Sequence, residues 1–236
     1  MNNTLTFIIM VLIAGSISGL VYAGLNLAIV EPYTDKAIEL EIENLRTEGE
    51  TIDINEVNAY RAWQKEGSIF AAIILGIGIA SIFAIVYAYA RKGLKGSEVK
   101  RGLVLASILW IVLFLVPFIK YPANPPAVGD PDSIYYRQAL YIAVIGISAS
   151  TALALAYINK SFNIKHRFIL PLVYIAVIAI ANIALPNNPD EIAISANLLN
   201  SFRATSIIAS LIAWLVLGIT FGALYEKFKK RAERTA

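Results

Sequence analysis

The sequence has no cysteine and a single histidine, His166. A disulfide, a thiolate metal site and a cysteine nucleophile are excluded at once. One imidazole without a thiol cannot close a zinc site of the usual nitrogen and sulfur kind. His166 stands between Lys165 and Arg167, which reads as a solvated loop position. Charge is also scarce, at 16% of 236 residues, where an average soluble domain carries about 25%. Catalytic signatures are missing too. There is no phosphate-binding GxxxxGK[ST] loop, no HExxH, no GxSxG and no serine, histidine and aspartate set with a usable histidine. The chain reads as no enzyme, and no resident cofactor is expected.

What the sequence does have is long apolar stretches. Six blocks, 5–30, 68–90, 102–119, 139–158, 168–185 and 204–225, contain none of the 20 Lys and Arg or the 17 Asp and Glu. A helix needs about 20 apolar residues to cross a hydrocarbon core of about 30 Å. Only helices and closed barrels satisfy their backbone polar groups in lipid, and barrel strands alternate over only about ten residues. A soluble alternative would need a buried core of helices apolar on every face, with no stripe of charge toward water. The expectation is an all-α, polytopic membrane helical bundle: one membrane domain over 1–236 with six transmembrane helices. The first block is too long for the apolar region of a signal peptide, and residues 1–6 hold no Lys or Arg, so it reads as a retained span.

The +3 net charge is explained by its distribution. Segments 91–101, 159–167 and the tail after Tyr225 carry 13 of the 20 Lys and Arg and only three acids, Glu98, Glu226 and Glu233. The alternate segments carry seven bases and fourteen acids. Lys and Arg mark cytoplasmic loops, so the expected topology has both termini inside. The net negative outer face would concentrate cations near the external loops.

The first external loop, 31–67, holds ten acids. Ile38, Ile42 and Leu45 follow a helical period, Glu48-Gly49-Glu50 reads as a turn, and Asp53 with Glu56 has capping-box spacing for a helix through Lys65. This predicts an external helical hairpin on the outer surface, with Trp63 as an interfacial anchor. Gly15 and Gly19, Gly218 and Gly222, and Ala72, Gly76 and Ala80 recur every four residues, which lets helices approach closely in lipid. The blocks hold no ionisable acid, base or histidine, which argues against a self-contained proton-coupled pump.

The second external loop contains Lys120, Tyr121, Pro122, Asn124, Pro125, Pro126, Asp130, Pro131 and Asp132. Its prolines restrict the backbone and remove donors, so a stiff, extended segment is expected. Pro186, Asn187, Asn188, Pro189, Asp190 and Glu191 form a second stiff turn, followed by a helix into the last span. Arg137 and Arg203 stand just before the fourth and sixth blocks, where each is expected to pair with an external carboxylate and pin a loop. Hard or borderline divalent cations accept carboxylate and carbonyl oxygens. Asp130 and Asp132 are therefore the weak metal candidates, with Asp190 and Glu191 beside them in the external set.

The run Val116-Pro117-Phe118-Ile119-Lys120-Tyr121-Pro122-Ala123-Asn124-Pro125-Pro126-Ala127-Val128-Gly129-Asp130-Pro131-Asp132, then Arg137 and Tyr141, resembles the CbtA family of cobalt transporter subunits. The run from Pro189, Asp190 and Glu191 to Phe202 and Arg203, with Trp214, Gly218, Gly222 and Leu224, resembles the family's last loop and span. Trp63, Gln64 and Gly67 fit as well. The resemblance implies a permease component for cobalt uptake linked to cobalamin supply, with cobalt as transported substrate. It also implies a small single-span, histidine-bearing partner of the CbtB kind. The vestibule expected from this combination is 120–132 over the bundle, with Asp130 and Asp132 drawing in the ion. The rival reading is a non-transporting structural or assembly subunit of a larger membrane protein complex.

Overall fold

The computed structural model describes residues 3–126, 128–162, 168–189, 192 and 194–235. Among these residues the regular structure is entirely helical. The α-helices are α1 (Asn3–Leu25), α2 (Glu31–Thr47), α3 (Ile54–Ala90), α4 (Glu98–Trp110), α5 (Val116–Lys120), α6 (Ile134–Phe162), α7 (Ile169–Ala184) and α8 (Ala196–Thr235). Two π-turns, Asn26–Val30 and Ile111–Leu115, join α1 to α2 and α4 to α5 with helical backbone throughout. Among the described residues five helices are long and apolar enough to cross a membrane: Thr4–Thr47, Ile54–Gly93, Glu98–Lys120, Pro131–Phe162 and Ala196–Lys230. The 168–185 block yields the shorter α7, whose 16 residues measure about 24 Å at 1.5 Å per residue.

The predicted hairpin is present, and its two helices are continuous with the membrane spans. Asp53 caps α3, its carboxylate accepting from Asn55 N at 2.8 Å and Glu56 N at 3.4 Å. The helix does not stop at Lys65; it runs on to Ala90 because nothing in 54–90 breaks it. Its partner α2 ends at Gly49, whose φ of +91° is the left-handed conformation that glycine adopts without strain. Glu50 N bonds Leu45 O at 3.0 Å and Gly49 N bonds Arg46 O at 3.1 Å, the paired bonds of a Schellman stop. Thr34 and Ala37 are buried and Ile38, Ile42 and Leu45 half-buried, as the helical period requires. The base of the hairpin is clamped by charge. Arg61 pairs with Glu31 and, at 3.1 Å, with Asp35, while Lys65 reaches Asp35 at 2.8 Å.

The chain packs as two compact units. The first comprises 1–108, 125–127 and 196–236. Here α1 lies on α3 and α8, and the small-residue faces meet backbone to backbone. A Cβ added at Gly15 would fall 2.6 Å from Ile77 Cα, and one at Gly19 would fall 2.7 Å from Ile73 Cα. The same occurs between α4 and α8, where a Cβ on Gly218 would lie 2.6 Å from Gly102 O and one on Gly222 2.6 Å from Glu98 O. Ser18 Oγ donates to Ala213 O at 2.8 Å. Buried Phe221 meets Phe83 and Tyr87 edge to face, with the Phe221 and Tyr87 centroids 5.1 Å apart, while Phe83 and Tyr87 stack on each other.

The second unit, 109–124 and 128–195, is assembled differently. Its apolar core of Val116, Tyr121, Leu140 and Val144 is flanked by Tyr141, Tyr174, Ile178 and Leu185. Proline shapes its first helix. Pro117 has no N–H and its ring crowds the preceding turn, and the backbone widens into the π-turn Ile111–Leu115. In that turn Val116 N bonds Ile111 O, five residues back. The next bond in this register would run from residue 117 to Val112 O, and proline cannot donate it. The Val112 carbonyl is served instead by a side chain: Ser148 Oγ lies 2.6 Å away. Ser148 is fully buried, and its Oγ also meets Tyr174 Oη at 2.7 Å.

Candidate functional site

The external-loop residues singled out in the sequence fall into several arrangements. Lys120, at the end of α5, reaches the C-terminal end of α7. Its Nζ donates to Asn182 O at 2.8 Å and to Asn187 Oδ1 at 3.0 Å. Asn182 is in the last turn of α7, where carbonyls lack helical partners and the helix dipole favours a cation. Tyr121, 8% exposed, donates from its hydroxyl to Pro186 O at 2.6 Å. Burial pushes its phenol above the ordinary range, and Tyr136 adds to the rise, so it remains a donor at neutral pH. The two residues staple the 185–189 turn to the end of α5.

Asp130 and Asp132 are exposed. Asp130 caps the short 3-10 turn Pro131–Ser133, its Oδ1 accepting from Asp132 N at 2.9 Å. Arg137 Nη2 donates to Asp130 O at 3.0 Å. This bond links the arginine to a backbone carbonyl of the loop. Pro122 and Asn124 are half-buried, Pro126 is exposed, and Pro125 is fully buried. Pro125 and Pro126 belong to the first unit. Arg203, half-buried on α8, also belongs to the first unit. Asp190, Glu191 and His166 lie outside the described residues. Among the described residues no three His, Cys, Asp or Glu side chains are grouped closely enough to hold a metal ion.

Charge counting alone missed a second cluster, at the basic end of the first unit. Glu98, 5% exposed, accepts from Tyr87 Oη at 2.6 Å and from Arg101 Nη1 at 2.9 Å. Arg101 Nε donates to Leu94 O at 2.8 Å, and the Arg91 guanidinium lies 4.9 Å from the Tyr225 ring centre. This network ties the 91–97 turn onto α3 and α8. The sequence signal was one acid among the five bases of 91–101.

A family model described as "Probable cobalt transporter subunit (CbtA)" matches residues 4–226. The chain belongs to the CbtA family. The match takes in all six apolar blocks, the acidic hairpin and the proline-rich loop. This CbtA chain is therefore a multi-pass integral membrane protein and a transporter subunit, and as a subunit it works within a complex. Comparison with curated proteins and with solved structures finds no match.

Proposed function

We propose that the chain carries divalent cobalt across the cell membrane as the permease component of a complex, with both termini in the cytoplasm. The family match over 4–226 is the observation that carries this reading. The segregation of 13 Lys and Arg onto one set of loops supports the orientation. The chain does no covalent chemistry in this reading. Its external surface attracts the ion through Asp130 and Asp132, which are exposed. The imidazole that the apolar blocks lack is supplied by a small, single-span, histidine-bearing partner of the CbtB kind.

The test is radiotracer cobalt uptake into vesicles, with and without that partner. Uptake is expected with it, and Asp130→Asn combined with Asp132→Asn is expected to lower it at sub-saturating cobalt. Unchanged uptake in the double variant would remove the two carboxylates from the mechanism. A stoichiometric complex without any uptake would instead make the chain a structural or assembly subunit.

A further inference from the structure

We propose that Val112 O, Ser148 Oγ and Tyr174 Oη form an intramembrane oxygen site that coordinates the divalent cation during passage, an inference that rests on the transport reading above. The apolar blocks carry no charge, so any protein ligand this chain offers at mid-membrane is a neutral oxygen. The three residues lie close to the middle of blocks 102–119, 139–158 and 168–185, the depth at which transporters place their ion sites. Interrupted helices supply carbonyl ligands in such sites, and here Pro117 and the π-turn together release the Val112 carbonyl.

The hydrogen-bond order is fixed by chemistry. The carbonyl can only accept, so the Ser148 hydroxyl donates to it at 2.6 Å. Tyr174 must then donate to Ser148 across their 2.7 Å contact. The chain of three oxygens ends in a phenol with free lone pairs. Rotation of the two hydroxyls, with no change of backbone, turns a lone pair of Ser148 and of Tyr174 toward a cation and leaves the Val112 carbonyl as the third ligand. Neutral hydroxyl and carbonyl oxygens suit a hard or borderline divalent ion that keeps part of its water shell. Three such oxygens from three helical segments of one unit exceed what helix packing alone needs, since the buried serine already satisfies the freed carbonyl.

The experiment compares the wild type with Tyr174→Phe, Ser148→Ala and Ser148→Thr in cobalt-uptake vesicles containing the complex, with thermal melts of each protein. Tyr174→Phe keeps the ring and removes one oxygen. It is expected to lower uptake at sub-saturating cobalt by about tenfold, equivalent to about 1.4 kcal/mol, mainly through a raised KM and with its melting point near wild type. Ser148→Ala is expected to lower uptake as well, here with a lower melting point because the Val112 carbonyl loses its donor, and Ser148→Thr, which keeps the hydroxyl, to restore uptake. Wild-type uptake in Tyr174→Phe would overturn the site and leave the transport reading standing. A loss in Tyr174→Phe that merely follows the melting point, or leaves KM unchanged, would make the three groups a structural tie and also overturn the site. Absence of uptake by the wild-type complex would overturn both.

Discussion

The two units solve the same problem in different ways. Burying apolar side chains gains little between helices already in hydrocarbon, so packing, hydrogen bonds and lipid entropy must hold them. The first unit uses close packing: glycines at four-residue spacing bring α1 against α3 and α4 against α8. The second relies on polar ties, with Lys120 on the end of α7, Tyr121 on Pro186 and Ser148 on Val112. Close packing resists any side chain larger than hydrogen, whereas a hydrogen bond breaks and re-forms with a rotamer change.

The sharpest way to break this comparison is to place the same bulky residue in both units. Gly19→Leu pushes a side chain into Ile73 and is expected to destabilise the protein by about 3 kcal/mol or more. Gly146→Leu on α6, where an added Cβ meets nothing within 4 Å, is expected to stay within about 0.5 kcal/mol of wild type. Thermal melts in detergent measure both, and equal losses would erase the distinction. Next in size is Lys120→Ala, which removes two charge-assisted bonds from the end of α7. The expected cost is about 1–2 kcal/mol, read as faster hydrogen exchange confined to 183–189. Exchange spreading into α1 and α3 would contradict a local staple.

The smallest effect concerns acid. Asp35 lies beyond the first apolar block. Burial raises its carboxyl, but hydrogen bonds and charge from Lys65 and Arg61 outweigh this and bring it below the ordinary range. A depressed folded value means its contribution is complete above the unfolded value of about 3.9. It is lost as pH falls through the folded value. The side chain is 39% exposed, so screening keeps the effect small. Limited acid proteolysis at 48–52 should rise below about pH 4, and Asp35→Asn should remove that rise.

Local patterns in the sequence translated directly into structure. Asp53 and Gly49 act over three to five residues, and uncharged runs long enough to cross lipid leave little choice but helix. The small-residue faces were readable as surfaces, but which face meets which is a tertiary matter. Glu98 was legible only as one of three acids on the basic segments because its burial and its bond to Tyr87 depend on packing eleven residues away. The bonds of Lys120 to the end of α7 were not legible because its acceptors lie 62 and 67 positions further on. The Pro117 effect was partly legible: a proline inside an apolar span always leaves a carbonyl short of a donor. That Ser148 supplies it required the fold.

The unbroken run of α3 has a mechanical corollary. Its first 14 residues, 54–67, precede the apolar block and extend about 21 Å at 1.5 Å per residue. An antibody fragment gripping the acidic tip would hold a stiff lever whose far end is the glycine seam with α1. Tilting that lever would shift the seam by the same angle, so a label at Gly49 would report membrane-embedded motion from the water outside.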